Sequence, residues 1–156
     1  MHLSVGIDTS TRLLAIGALT KDLTARHQTY KLTGKAIQQN MLGAFNAMCS
    51  WLEEQRIEGH SLNIFIEEPI YVNNNKVHQA LTCIYASVIQ ACFSFNLFPD
   101  TVHVSAWKKL AVGSGNANKL EVKEKAIEVL GLDEGLVQDV YDAYCIALYG
   151  WEVIGG

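Results

Sequence analysis

The chain has 156 residues, 12 basic and 16 acidic side chains, a formal net charge of -4 and 49% apolar residues. That length and apolar content suit one domain with a real core and exclude a disordered chain. The absence of any apolar run of about 18 residues excludes a transmembrane helix, and the mild acidity, taken alone, argues against a nucleic-acid ligand.

Residues 3–8 are a short apolar run that ends on a carboxylate. Runs at 13–20 and 23–30 follow at once across a Thr-Lys-Asp turn, which predicts a three-stranded antiparallel meander. The period then changes. Ile37, Met41, Phe45, Met48 and Leu52 recur at steps of three and four and predict an amphipathic helix over 35–57, closed near Gly59. Residues 61–67 read as an isolated strand that also stops on a carboxylate. Val77, Leu81, Ile84, Val88, Cys92 and Phe95 predict a long helix, and Tyr85, Ile89 and Phe93 add a second apolar stripe beside the first. Such a helix is either buried between the sheet and the helix around Met41, or it meets a symmetry mate in a homodimer. A strand over 101–105 and helices over 119–130 and 136–149 complete the order βββ-α-β-α-β-α-α.

Helical crossovers make the first, fourth and fifth strands parallel, with the hairpin strands at one edge. The expected fold class is therefore α/β: a five-stranded mixed sheet, a three-stranded antiparallel meander plus two parallel strands, flanked by helices in one domain over 1–156. Cys49, Cys83, Cys92 and Cys145 form no C-x-x-C pair and lie in apolar periodic segments, so they read as reduced core residues of a cytoplasmic protein. No basic stretch followed by a long apolar run opens the chain, so no secretory signal is expected.

Four acids stand out by position. Asp8 ends the first strand, Glu67 ends the fourth, and Asp139 and Asp142 lie three apart near the start of the last helix, on one face of it. If that helix crosses the strand ends, four carboxylates converge, and they cannot all stay ionised without a cation. An all-oxygen donor set without a His–Cys cluster selects Mg²⁺ or Mn²⁺. Two such ions about 3.5–4 Å apart are the arrangement that cleaves phosphodiesters. Any one of these acids alone is more simply a helix cap or a solvated strand end; the joint placement favours the metal site.

Basic residues sit beside the acids. Between positions 102 and 126 there are five lysines (Lys108, Lys109, Lys119, Lys123, Lys125) against Glu121 and Glu124. A Gly-rich turn, Val-Gly-Ser-Gly-Asn-Ala-Asn-Lys, opens the helix at Lys119, and a helix N-terminus with an adjacent Lys suits a phosphate. Lys108 and Lys119 are the expected substrate contacts, whereas Lys123 and Lys125 read as a solvated face with Glu121, Glu124 and Glu128. The five histidines are dispersed and receive no role.

The pieces resemble the RuvC-type Holliday junction resolvases of the ribonuclease H-like superfamily. The residues that carry this are Val-Gly-Ile-Asp8-Thr-Ser10, Ile-Phe-Ile-Glu67-Glu-Pro, Trp107-Lys108-Lys109 with the Gly113–Lys119 turn, and Asp139-Val-Tyr-Asp142-Ala143. The resemblance implies a homodimeric endonuclease for branched DNA that pairs through the helix at 77–95 and nicks opposing strands to leave 5′-phosphate and 3′-hydroxyl ends. By the same resemblance Asp8, Glu67, Asp139 and Asp142 hold two Mg²⁺ ions, and Lys119 acts beside them as a catalytic cation. Lys108, Lys109, Lys119, Ser10 and Tyr71 are the expected DNA contacts. Thr9 stands where the family usually has Pro, and Ile70 stands at the family's stacking aromatic, with Tyr71 one place later. The four-way junction comes from the resemblance alone; the carboxylates and lysines argue only for phosphodiester chemistry.

Three other readings share parts of this pattern. Ile7-Asp8-Thr9-Ser10-Thr11 is similar to the first strand of the actin-like ATPases, but that reading leaves the acid pair of the last helix unused. A related nuclease for RNA, forks or flaps would have the same metal site, and a binding protein could keep the fold without catalysis. Setting aside the four acids leaves 12 acids against 12 bases, so the acidic composition does not exclude a DNA substrate.

Overall fold

The computed structural model describes residues 1–155. In chain order these form β1 (His2–Thr9), β2 (Leu13–Leu19), β3 (Ala25–Lys31), α1 (Ile37–Ile57), β4 (Ser61–Glu67) and α2 (Asn75–Ser94). Then come β5 (Asp100–Val102), α3 (Val104–Ala111), α4 (Lys119–Leu130) and α5 (Gln138–Val153). The sheet order is β3-β2-β1-β4-β5, antiparallel through β3, β2 and β1 and parallel through β1, β4 and β5, as the sequence predicts.

Strand alternation decides which side chains meet which helices. Leu3, Val5 and Ile7 of β1, Leu14, Ile16 and Ala18 of β2, and Ile64 and Ile66 of β4 pack in one core with Ala44, Met48 and Leu52 of α1 and Ile84, Val88 and Cys92 of α2. The opposite face is covered by α5, which packs on β1, β2 and β4. There Ala15 and Leu19 meet Val140, Ala143, Tyr144 and Ala147, while Phe65 meets Tyr141, Cys145 and Ile146.

The approach of α5 to β1 is set by glycine. A Cβ on Gly6 would run into the Ala143 carbonyl and lie 2.6 Å from Ala147 N, so only hydrogen fits between strand and helix. Ser4 Oγ donates to the Ala147 carbonyl at 2.7 Å and fixes the register along the same contact. Gly6, Ser4 and Asp8 share one face of β1, so the contact that seats α5 also aims Asp8 at it.

Two elements differ from the sequence expectation. The predicted strand at 101–105 is three residues, Asp100–Val102, followed directly by α3. His103 caps that helix, its side chain accepting from Ser105 N, and Trp107 faces inward with 1% exposure. Residues 23 and 24 lie outside β3 because Leu23 adopts a φ of 65° and its N–H closes a turn onto the Thr20 carbonyl at 3.0 Å. The four cysteines are free; burial lifts the thiols of Cys92 and Cys145 to about 12, which leaves them unreactive. Among the described residues no helix is long and apolar enough to cross a membrane.

Candidate active site

Asp8 and Glu67 stand at the same end of adjacent parallel strands, whose register pairs Ile7 with Ile66. Both side chains lie on the α5 face by alternation, since Ile7 and Ile66 belong to the core with α1 and α2. Glu68 turns the other way, toward Tyr85 of α2, whose phenol is raised by burial first and by the Glu68 charge as well. Asp139 and Asp142 come from the first turns of α5. The charges of Glu67, Asp142 and Asp139 all act on Asp8. The topology therefore brings the four predicted acids into one electrostatic cluster.

The cluster is strained by its own charge. Burial, then the charges of Glu67, Asp142 and Asp139, push Asp8 well above the usual carboxylate range. Burial pushes Glu67 up to about 7 against the downward pull of its Trp107 hydrogen bond. Asp142 is raised by burial and by Asp139, and held down by its Gln138 hydrogen bond and by the charges of Lys108 and Lys119. Each is a carboxylate short of positive charge.

Three supporting groups surround them. Trp107 Nε1 donates to Glu67 Oε2 at 2.9 Å, so the buried indole holds the glutamate in place. Gln138 Nε2 donates to Asp142 Oδ1 at 3.1 Å and to the Lys119 carbonyl at 3.3 Å, tying the start of α4 to the acid pair of α5. Lys108 Nζ lies 5.7 Å from the Trp107 ring centroid, and its charge acts on both Glu67 and Asp142. The sequence motif contains Trp107 without giving it a role, and it does not mark Gln138. The step of four from Gln138 to Asp142 on one helix is the signal that could have found it.

The other expected contacts are placed as follows. Lys119 is the first residue of α4, exposed, with its charge acting on Asp142. Lys109 is exposed on α3. Tyr71 is 69% exposed in the β4–α2 loop, its ring centroid 5.4 Å from that of His78, and Ile70 beside it is 48% exposed. Ser10 Oγ is occupied in the β1–β2 turn, accepting from Leu13 N at 3.0 Å and donating to the Leu13 carbonyl at 3.2 Å. The N-terminus of α4 is closed by its own capping box: Asn118 Oδ1 accepts from Glu121 N at 2.9 Å, and Glu121 Oε1 accepts from Asn118 N at 3.3 Å. The phosphate-gripping helix end expected there is thus replaced by a self-capped one with an acid in its first turn. Lys123 is half-buried, its Nζ 5.7 Å from the centroid of the Tyr141 ring rather than on a solvated face.

Among the described residues no three carboxylate, imidazole or thiolate side chains are drawn together tightly enough to enclose an ion. The chemistry of the donor set nevertheless fits a divalent cation: it is all oxygen, and the raised Asp8, Glu67 and Asp142 have the charge deficit that a hard cation relieves.

No protein-family model matches the sequence, and no curated protein does. Among solved structures, RuvC of Thermus thermophilus is similar at a TM-score of 0.77 and 20% identity, over 98% of this chain and 96% of that one. The same protein in complex with a Holliday junction substrate is similar to the same degree. At that identity the likeness establishes the fold. The chain has the ribonuclease H-like fold of RuvC, with the mixed five-stranded sheet that the sequence predicts.

Proposed function

We propose that this chain is a Mg²⁺-dependent structure-selective endonuclease that cuts Holliday junctions and related branched DNA as a homodimer. The observation that carries the reading is the gathering of Asp8, Glu67, Asp139 and Asp142 on one face at the strand ends, beside Lys108 and Lys119. A fold shared with RuvC over almost the full length of both chains supports the substrate class.

Asp8, Glu67, Asp139 and Asp142 would hold two Mg²⁺ ions, which would supply activation of a water and neutralisation of charge at the scissile phosphate. Trp107 holds Glu67 in position. Gln138 keeps Asp142 aligned and anchors the segment that carries Lys119. The Lys119 ammonium offers positive charge to the phosphate as negative charge builds in the transition state, an interaction worth more in cleavage than in binding. Lys108 and Lys109 neutralise backbone phosphates on the same side, and Tyr71 offers an exposed ring for stacking on an unpaired base.

The dimer reading rests on α1 and α2. Ile84, Val88 and Cys92 are buried within the chain, but Leu42, Val77, Phe93 and Phe98 are 61%, 40%, 47% and 77% exposed. An apolar groove of about 410 Å³ runs between the two helices, lined by Met41, Leu42, Phe45 and Ala86 among others. Packing α2 against its symmetry mate would cover this surface and set two active sites in one particle, as paired nicks on opposing strands require. The testing experiment is cleavage of a synthetic four-way junction beside a matched duplex and fork, with and without Mg²⁺. Paired nicks confined to the junction with Mg²⁺ support the reading, and equal cutting of all three substrates removes the junction from it.

A further inference from the structure

A second group of cations stands at the same end of the sheet as the carboxylates, against its other face. From Thr9 to Leu52 the sequence has one acid, Asp22, against Arg12, Lys21, Arg26, Lys31 and Lys35. Asp22 and Lys21 sit in the β2–β3 turn at the far end, and Arg26 pairs with Glu58 at 3.3 Å. Arg12, Lys31 and Lys35 remain at the end where Asp8 lies; alternation turns Lys31 to the α5 face, as its neighbour Tyr30 packs in the α1–α2 core, which leaves Arg12 and Lys35 on this side.

The backbone fixes Arg12 and Lys35 beside each other. Leu32 N donates to the Arg12 carbonyl at 2.8 Å, and Lys31 pairs in register with Leu13. Asn40 clasps the following loop, its Oδ1 accepting from Gly34 N at 2.7 Å and its Nδ2 donating to the Gly34 carbonyl at 3.2 Å. A Cβ on Gly34 would lie 2.6 Å from Gln39 Cβ, so glycine lets the loop lie flat on the start of α1. Thr11, Arg12, Gly34, Lys35 and Asn40 line a polar cleft of about 210 Å³. A second hollow of about 190 Å³ continues it to Ala80 and Ile84 of α2. Arg12 and Lys35 are exposed, and neither forms an ion pair among the described residues. The nearest wall, α2, contains neither Asp nor Glu.

Exposed cations in an acid-free cleft attract a polyanion such as a chain of phosphates. We propose that the cleft of Arg12 and Lys35 holds the phosphate backbone of the DNA whose scissile phosphate lies at the carboxylates. The carboxylate cluster is then bracketed, with Lys108 and Lys119 on the α5 side and Arg12 and Lys35 on the α1–α2 side. This rests on the nuclease reading and extends it to a second phosphate-binding surface.

The test is the salt dependence of binding for a labelled four-way junction, measured with Ca²⁺ in place of Mg²⁺ from about 0.05 to about 0.4 M salt. Each phosphate contact contributes about 0.9 to the slope of log K against log salt, so Arg12→Gln/Lys35→Gln should flatten it by about 1.8. Affinity near 0.2 M salt should fall at least roughly tenfold. Either single variant should flatten the slope by about 0.9. Lys21→Gln, at the far end, should not change it. Wild-type slopes in the double and both single variants, alongside wild-type cleavage in Mg²⁺, would overturn the cleft and leave the nuclease reading standing. Absence of Mg²⁺-dependent cleavage by the wild type would overturn both.

Discussion

Glu67→Gln should make the metal-free protein more stable while removing its cleavage activity. Burial raises the Glu67 carboxyl from 4.5 to about 7 in the fold. A carboxyl raised on folding contributes its full stability below its unfolded value and loses it as pH rises through the folded value. The loss therefore spans about pH 4.5 to above 7. A shift of this size corresponds to about 3 kcal/mol at ~1.4 kcal/mol per unit. Glutamine keeps an oxygen for the Trp107 N–H but never ionises. In EDTA at about pH 8 the variant should gain up to about 3 kcal/mol, which for a chain of this length is roughly 6–12 °C in Tm. Near pH 4 the two proteins should melt together. Mg²⁺ should raise the Tm of the wild type more than that of the variant, closing the gap from below. The assay is thermal unfolding by circular dichroism across pH, with EDTA or Mg²⁺. A variant that melts with or below the wild type in EDTA at pH 8 would refute the claim that Glu67 sits in a site short of positive charge.

Three further outcomes follow from packing and hydrogen bonding. Trp107→Phe keeps most of the buried ring but removes the 2.9 Å donor to Glu67, so cleavage should slow about tenfold or more, with junction affinity little changed in a gel-shift assay. Gly6→Ala drives a methyl into the α5 backbone at Ala143 and Ala147 and should cost roughly 3 kcal/mol or more, read by urea unfolding. Leu42→Glu, 61% exposed beside the α1–α2 groove, should leave the monomer folded and shift sedimentation from dimer to monomer; an unchanged dimer would move the interface elsewhere.

The strands and their order could be read from the sequence because alternation and connection length constrain them strongly. The same alternation puts Glu67 on the α5 face, since Ile64 and Ile66 face the α1–α2 core. The short helix α3 was hidden because Thr101, Val102 and Val104 extend a β-like run across its start, and the capping role of His103 looks like nothing in isolation. The pull of Trp107 on Glu67 depends on a contact 40 residues apart, which no local pattern encodes, whereas Gln138 reaches Asp142 within one turn of α5. Gly6 was readable in principle as a close approach inside a strand, but its partner, α5, lies more than a hundred residues away. The capping box at Asn118 and Glu121 was legible as a local signature and displaces the phosphate reading of that helix end.

Metal-dependent cleavage at the four carboxylates is tested by incubating a labelled four-way junction with wild type, Asp8→Asn and Asp142→Asn, each with Mg²⁺ and with EDTA. Paired nicks are expected only for the wild type with Mg²⁺, while both variants still bind the junction. Cutting by either variant in Mg²⁺, or by the wild type in EDTA, would contradict it.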